Sequence, residues 1–218
     1  LIVDSSYTSV TDAQGMPQGV GISGVGDTVI NCEFLNLDYA VNLSAGPSGV
    51  LIQDNTAPLR TGLREYFVWS QGDDIAIIGN NISNTLFGHD IRSGGTDRLL
   101  IDDNYVSNPN DAQYGDSTNR GTIDSHTGTY QYITGNTFDQ GVTSVGPLGQ
   151  GDGLNDKGAR LNYVVFEDNR VQNSLVIVLH GTQHYMARNN VIQADAMTGF
   201  EIQGYSSTYG RGVVDANI

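Results

Sequence analysis

The sequence predicts an all-β fold, a right-handed parallel β-helix of about seven stacked coils. Three observations lead to this prediction. The 218 residues include 28 Gly, and Ala, Glu, Lys and Leu form almost no helix-like stretches, which indicates a chain with many turns and few helices. One short template of apolar residues and Asn recurs along the chain. Its apolar places hold mainly Ile, Val, Phe and Tyr, which favour strands.

The template places apolar residues at the fourth and third positions before an Asn, and usually another two positions after it. It occurs at residues 50–57, 76–83, 99–106, 131–138, 164–171 and 185–192. The Asn positions are Asn55, Asn81, Asn104, Asn136, Asn169 and Asn190. Such a period is typical of solenoids, in which each repeat forms one coil. Leucine-rich repeats share part of this pattern but require Leu at most apolar places, so a β-helix is favoured.

Two of the steps between Asn positions are longer than the others, and both contain Gly, Asn, Asp and Pro, as loops do. We expect these insertions within residues 109–119 and 142–153. Residues 29–36 read as a degenerate copy with Glu33 at the Asn place, and residues 213–217 begin a further copy. The expectation is one domain over residues 1–218, truncated inside a coil at the C-terminus and continued by further coils or caps of the same polypeptide.

The repeated residues have structural roles. A tight turn between two strands of one coil accepts Asn well, and stacked Asn amides can bond from coil to coil as a ladder. The apolar places should stack inward at the ~4.8 Å strand spacing and form a narrow core. We expect one such column to hold Ile52, Ile78, Ile101, Ile133 and Phe166. Cys32, the single cysteine, excludes an internal disulfide and is expected to be a buried thiol.

The charge of the chain excludes some partners. With a formal net charge of −14 and ten Lys and Arg, the chain repels nucleic acid, and no apolar run is long enough to predict membrane insertion. An acidic surface also opposes acidic polysaccharides, unless a basic patch or a bound Ca²⁺ reverses the sign locally.

A second strand follows each template and opens near Gly. Aligning these strands on Ile91, Ile123, Leu154, Leu179 and Phe200 places two polar columns on one solvent-facing sheet, because side chains alternate along a strand. The first column reads Arg92, Asp124, Asn155, His180 and Glu201. The second reads Gly94, His126, Lys157, Thr182 and Gln203, with Asp90 beside Ile91. Most of the histidines lie in or beside this patch, which is the main functional signal in the sequence.

This repeat, with its polar columns beside long loops, resembles the pectate-lyase-like superfamily of right-handed parallel β-helix proteins. It is also similar to secreted bacterial β-helix proteins without a settled activity. The sequence matches the enzyme signatures of the superfamily only in part. Gly88-His89-Asp90 matches part of one motif. The resemblance implies an extracellular polysaccharide as partner and a secreted or cell-surface location.

Three functions remain open at this point. In a lyase acting on a glycan that contains uronic acid, Arg92, or a Ca²⁺ held by Asp90 and Asp124, would neutralise the substrate carboxylate. The base would be Lys157, His126 or His180. In a glycoside hydrolase, Asp90 and Asp124 would form the pair of carboxylates. In a surface solenoid without catalysis, the same face would bind glycan or serve as a spacer. In each case the expected substrate-binding residues are Asp90, Asn155, Glu201 and Gln203.

Overall fold

The computed structural model describes residues 2–4, 18–58, 66–83, 89–107, 122–145, 161–180, 184–203 and 211–215. These residues form 18 β-strands and contain no helix, which confirms the prediction of an all-β chain. Accordingly, the described part of the chain offers no helix that could cross a membrane.

The strands follow the chain in order. The first nine are β1 (Ile2–Asp4), β2 (Gln18–Gly21), β3 (Thr28–Ile30), β4 (Glu33–Leu35), β5 (Tyr39–Leu43), β6 (Ser48–Gln53), β7 (Thr56–Ala57), β8 (Tyr66–Ile78) and β9 (Asn81–Ser83). The other nine are β10 (Ile91–Asp102), β11 (Tyr105–Ser107), β12 (Ile123–Thr134), β13 (Thr137–Val145), β14 (Leu161–Glu167), β15 (Arg170–His180), β16 (His184–Arg188), β17 (Val191–Gln203) and β18 (Arg211–Asp215).

The strands pair in parallel and form three stacks. The first stack contains residues 18–21, 39–43, 66–70, 91–93, 123–125, 143–145, 177–180 and 201–203. The second contains residues 28–30, 50–53, 75–78, 99–102, 131–134, 164–167, 185–188 and 212–215. The third contains residues 2–4, 33–35, 56–57, 81–83, 105–107, 137–139, 170–172 and 191–193. The chain visits the stacks in turn, an arrangement consistent with a β-solenoid.

The turn from the second to the third stack explains the recurring Asn. One residue at each of these turns has a left-handed backbone, with φ between 51° and 65°. It is always Asn, Asp or Gly: Asn31, Asp54, Gly79, Asp103, Gly135, Asp168 and Asn189. Those three residue types tolerate this conformation best. The buried Asn that follows then bonds to the next coil.

These buried amides form a continuous ladder. Each side-chain oxygen accepts hydrogen bonds from the coil before it, as when the backbone N and Nδ2 of Asn55 donate to Asn80 Oδ1 at 3.0 Å each. The same two bonds recur from Asn80 to Asn104, from Asn104 to Asn136, from Asn136 to Asn169 and from Asn169 to Asn190. Asn at the turn therefore serves structure, as the repeat predicts.

The ladder corrects the sequence alignment at two coils. Asn80, not Asn81, is the ladder residue, and Asn81 is exposed on β9. In the first coil the ladder place belongs to Cys32 rather than Glu33, because the Cys32 backbone N donates to Asn55 Oδ1 at 2.9 Å. The Cys32 thiol is only partly buried, with Sγ 3.4 Å from the Ile30 carbonyl oxygen.

The core runs through the centre of the three stacks. One column of fully buried side chains comes from the second stack and consists of Ile52, Ile77, Ile101, Ile133, Phe166 and Ala187. Ile77 replaces Ile78, which the sequence had placed there, since the Asn alignment was one residue out in this coil. The expected loop at residues 142–153 is wrong in its first part, because residues 142–145 continue β13. The expected loop at residues 109–119 lies outside the described residues.

Close backbone approach fixes glycine at the bend between the first and second stacks. Gly128 has φ +136°, and a Cβ there would stand 2.0 Å from the Thr96 carbonyl oxygen. Gly72 occupies the corresponding bend two coils earlier with φ +114°, and its Cβ would meet the Pro47 oxygen at 2.1 Å. No side chain fits in either position.

Candidate functional site

The outer face of the first stack carries the candidate site. Parallel register places Asn42 beside Trp69, Trp69 beside Arg92 and Arg92 beside Asp124. We call the outward column formed by these four residues the first-stack face. The neighbouring position of Arg92 and Asp124 agrees with the strand alignment made from the sequence.

Asp124 is buried, although the sequence placed it on a solvent-facing column. Its exposure is 1%, and its Oδ2 lies 3.2 Å from His89 Nε2 and 3.7 Å from Arg92 Nε. Taking a carboxylate out of water is costly unless opposite charge and hydrogen bonds accompany it. His89, itself 7% exposed, and Arg92 supply that environment.

Arg92 lies between this carboxylate and a group of aromatic rings. Its Nη1 donates a 2.7 Å hydrogen bond to the Tyr66 hydroxyl, and its Cζ lies 4.8 Å from the centre of the Trp69 ring. Tyr66 packs against Trp69 with ring centroids 5.3 Å apart, and against Tyr39 at 5.4 Å. The guanidinium is therefore held in position by a cation–π contact, a hydrogen bond and an ion pair.

Asp90 is a third charged residue near Arg92 in the sequence, and it is not solvent-exposed. It is fully buried, and its backbone oxygen accepts hydrogen bonds from the Phe67 and Val68 amides at 2.8 and 3.1 Å. A hydrolase that used Asp90 and Asp124 would need both carboxylates to reach a glycosidic bond, whereas both are buried in this structure. Among the described residues, no three His, Cys, Asp or Glu side chains converge to form a metal site, so a Ca²⁺ held by Asp90 and Asp124 remains an expectation.

The other predicted site residues fall into two groups. Asn155 and Lys157 lie outside the described residues. The remaining four have backbones in described strands, at His126, His180, Glu201 and Gln203.

Three strand pairings differ from the sequence alignment. Asp124 is in register with Ser144 rather than Asn155, because residues 143–145 supply the next strand of the first stack and pair in turn with residues 177–179. His180 is in register with Gln203 and Glu201 with Val178, so the expected pairing of His180 with Glu201 was two residues out. Gly94 is in register with Thr127 rather than His126, because the strands shift between Ser93 and Gly94.

Comparison with known proteins adds no relative. No protein-family model, no curated protein and no solved structure matches this chain. The chemistry of the first-stack face therefore rests on its own geometry. In that geometry the Arg92 guanidinium is held beside the Tyr66 and Trp69 rings. The buried Asp124 carboxylate contacts both His89 and Arg92.

Sequence reasoning missed three residues that contact Arg92 or Asp124, namely His89, Tyr66 and Trp69. His89 was noted only as a neighbour of Asp90, and the strand that carries Tyr66 and Trp69 was not aligned with the others. A signal was available: Tyr66 to Trp69 precede the template copy at residues 76–83, as Ile91 to Ser93 precede the next copy.

A second polar cluster lies on the second stack, away from the first-stack face. Glu167, 5% exposed, accepts hydrogen bonds from the Tyr132 hydroxyl and from Arg188 Nε, the latter at 2.5 Å. The hydrogen bond from Arg188, together with that from Tyr132, holds the pKa of Glu167 below its usual range. The same contact with Glu167 raises the pKa of the Tyr132 phenol. These hydrogen bonds join side chains of neighbouring coils, which indicates a structural role.

A stack of exposed rings marks the bend between the first and second stacks. Tyr130 and Tyr163 are parallel at 5.0 Å, and Tyr163 and His184 at 4.7 Å. Both tyrosines have φ +58°, a conformation that costs bulky residues energy, and ring stacking offsets part of that cost. Tyr163 has a ring stacked on each side, so this stack is suited to stabilising the bend.

Proposed function

We propose that this chain is a right-handed parallel β-helix of the pectate-lyase-like type, with about seven coils in one domain, and that it acts on extracellular polysaccharide containing uronic acid. The three parallel stacks, the Asn ladder and the inward apolar columns support the first part of the proposal. The second part rests mainly on one observation, the cation of Arg92 fixed on the outer face of the first stack.

The reaction that suits this face is β-elimination. A base removes the proton from the carbon next to the sugar carboxylate, and the bond from the adjacent carbon to the glycosidic oxygen breaks. A carbon–carbon double bond forms, and the leaving oxygen takes up a proton. The carboxylate must be neutralised for that first proton to become acidic. Arg92 is the candidate for this role, and His126, Lys157 or His180 is the candidate base.

The charge of the molecule makes a local cation necessary. An anionic polymer approaching a chain of net charge −14 meets repulsion that decays within about 8–10 Å at physiological salt. Two other described arginines are less suited to substrate, because each is bonded to a carboxylate. Arg98 bonds Asp74 through Nε at 2.5 Å, and Arg188 bonds Glu167. Arg98 directly precedes the second-stack segment 99–102, and Arg188 lies on the second stack.

A second candidate function is glycan binding without catalysis. It is favoured by the mutual pairing of the described polar groups, since Asp124 contacts both His89 and Arg92, and Arg92 contacts Tyr66. Groups that satisfy one another are less available to move protons. In that case Arg92 would bind the carboxylate and no bond would break.

The test is to incubate the protein with polymers of galacturonic, mannuronic and guluronic acid and with neutral polysaccharides, with and without Ca²⁺. Ultraviolet absorbance follows unsaturated products, a reducing-end assay follows every cleavage, and gel retardation in the polymer follows binding. Rise of both cleavage signals supports elimination, reducing ends alone indicate hydrolysis, and retardation without cleavage indicates binding only. Inactivity and absence of retardation on every polymer would refute the proposal.

Arg92→Ala and Arg170→Ala form a matched pair for this test. Each removes one positive charge, but Arg170 is exposed on the third stack with its Nε bonded to Gln172. Only Arg92→Ala should reduce activity or binding on acidic polymers. Circular dichroism of both variants establishes that the fold is retained.

A further inference from the structure

We propose that Trp69 and Arg92 form a subsite for a single uronic acid unit, in which the sugar ring packs on the indole and its carboxylate binds the guanidinium. This inference rests on the proposed function and deepens it, because it assigns a sugar-binding role to a residue outside the predicted polar columns.

The first argument is the position of Trp69. The indole is half-buried on the first-stack face, and its six-membered ring reaches across to the next strand beside Gly94. A Cβ on Gly94 would stand 3.3 Å from Trp69 Cζ2 and 3.4 Å from Cη2. The absence of a side chain at position 94 therefore leaves room for the ring. The indole is partly exposed on the same face as the Arg92 guanidinium, where a sugar ring can pack against it.

The second argument is the donor capacity of Arg92. A guanidinium has five N–H donors, and it binds carboxylates through two parallel hydrogen bonds. One bond goes from Nη1 to Tyr66 at 2.7 Å, and Nε is buried, 3.7 Å from Asp124 and without a hydrogen bond among the described residues. These contacts orient the group and leave other donors for a ligand carboxylate.

The third argument is that the guanidinium contacts one face of the indole. The Arg92 Cζ is 4.8 Å from the centre of the Trp69 ring, so a sugar that packs on the exposed part of the indole has its substituents within reach of the guanidinium. A pyranose offers axial C–H groups to an aromatic ring, and a uronic acid adds one carboxylate at the ring edge. The pair therefore suits an acidic sugar better than a neutral one.

The subsite also has a place along the solenoid. Trp69 and Arg92 belong to consecutive coils, and Asp124 follows in the next one. Coils repeat at ~4.8 Å, which is close to the length of one sugar unit in an extended chain. A polymer running along the solenoid axis would place its next unit beside Asp124 and the strand that carries His126.

Fluorescence provides the experiment, since Trp69 is the single tryptophan of the sequence. The intact protein is titrated with trimers of galacturonic acid and of mannuronic acid, and with the trimers of galactose and mannose that lack the carboxylate. We expect a saturable change in tryptophan emission with at least one acidic trimer, and affinity for its neutral counterpart weaker by at least about fivefold.

Two variants test the residues. Trp69→Phe keeps an aromatic ring but reduces the surface, and calorimetry should show binding weaker by about fivefold or more. Gly94→Ala keeps the tryptophan but places a Cβ 3.3 Å from its Cζ2, so the indole must shift slightly; emission of the free protein should change and affinity should fall. Tyr105→Phe, on the third stack, should bind like the wild type.

The outcomes separate this inference from the proposed function. Cleavage or retardation of acidic polymers with no change in tryptophan emission, and with full affinity in Trp69→Phe, would overturn the subsite and leave the function standing. Equal affinity for acidic and neutral trimers would remove the role of Arg92. Absence of both polymer and trimer binding would refute the function and the subsite together.

Discussion

The amide of Asn104 donates a 2.9 Å hydrogen bond from Nδ2 to the side-chain oxygen of Asn136, one coil further along the chain. The same nitrogen also bonds the Ile77 and Asp102 carbonyl oxygens at 2.8 and 2.9 Å. Asn104 Oδ1 in turn accepts from Asn80. One side chain thus satisfies buried polar groups in three consecutive coils, and this leads to the first prediction.

Replacing Asn104 by Ala should lower the free energy of unfolding by ~3 kcal/mol or more, because several buried donors and acceptors lose their partner at once. Urea denaturation measures the change. Asn81→Ala is the matched control, since Asn81 is exposed and outside the ladder, and its effect should stay within ~0.5 kcal/mol. Equal effects of the two variants would contradict the ladder.

The bend glycines give the second prediction. Gly128→Ala should lower stability by ~3 kcal/mol or prevent folding, because its Cβ would overlap the Thr96 oxygen at 2.0 Å and the backbone has φ +136°. Gly21→Ala has nothing within 4 Å of its Cβ and should be neutral or slightly stabilising. Thermal unfolding of both variants checks this; a stable Gly128→Ala protein would exclude the close approach.

Burial of the Asp124 carboxylate gives the third prediction. Asp124→Asn should cost ~3 kcal/mol, because Arg92 loses a buried opposite charge and His89 loses its carboxylate partner, while the shape of the side chain is kept. Asp73→Asn is the control: its side chain is 52% exposed, 3.6 Å from Arg98, and the change should cost less than ~1 kcal/mol. Chemical denaturation in parallel distinguishes the two. Similar small losses would mean that the buried cluster contributes little.

The fourth prediction concerns pH and Glu167. Its pKa is lowered in the folded chain, so its contribution to stability is complete above the ordinary Glu range of about 4.3 and is lost as the pH falls through the lowered value. The stability difference between wild type and Glu167→Gln should therefore be largest at neutral pH and shrink in acid. Guanidinium denaturation across that range measures it. A constant difference at all pH values would show that ionisation of Glu167 plays no part.

The repeat was readable from the sequence because each coil must bury its own apolar residues and turn at the same place. Asn80 was misplaced because two Asn follow Gly79, and alignment on Asn alone cannot choose between them. The left-handed residue before the ladder decides the register: Gly79 fits that place, as Asp54 and Asp103 do in the coils on either side.

The candidate site was predictable only in part. The adjacency of Arg92 and Asp124 follows from coil length. The burial of Asp124 does not, because it depends on where the His89 side chain lies, and no periodicity reports that. The position of Trp69 beside Gly94 likewise depends on contact across coils.

The Asn ladder has a consequence for how such a chain can change its length. Because every rung has the same donors and acceptors, removing residues 80–103 would join Gly79 directly to Asn104 and set Asn104 beside Asn55 with no rung missing. Gain or loss of a whole coil therefore leaves the ladder continuous. Coils also differ in length without breaking it, since consecutive rungs are separated by as few as 21 and as many as 33 residues. Duplication and excision of complete coils is thus one route of evolutionary change that this architecture permits.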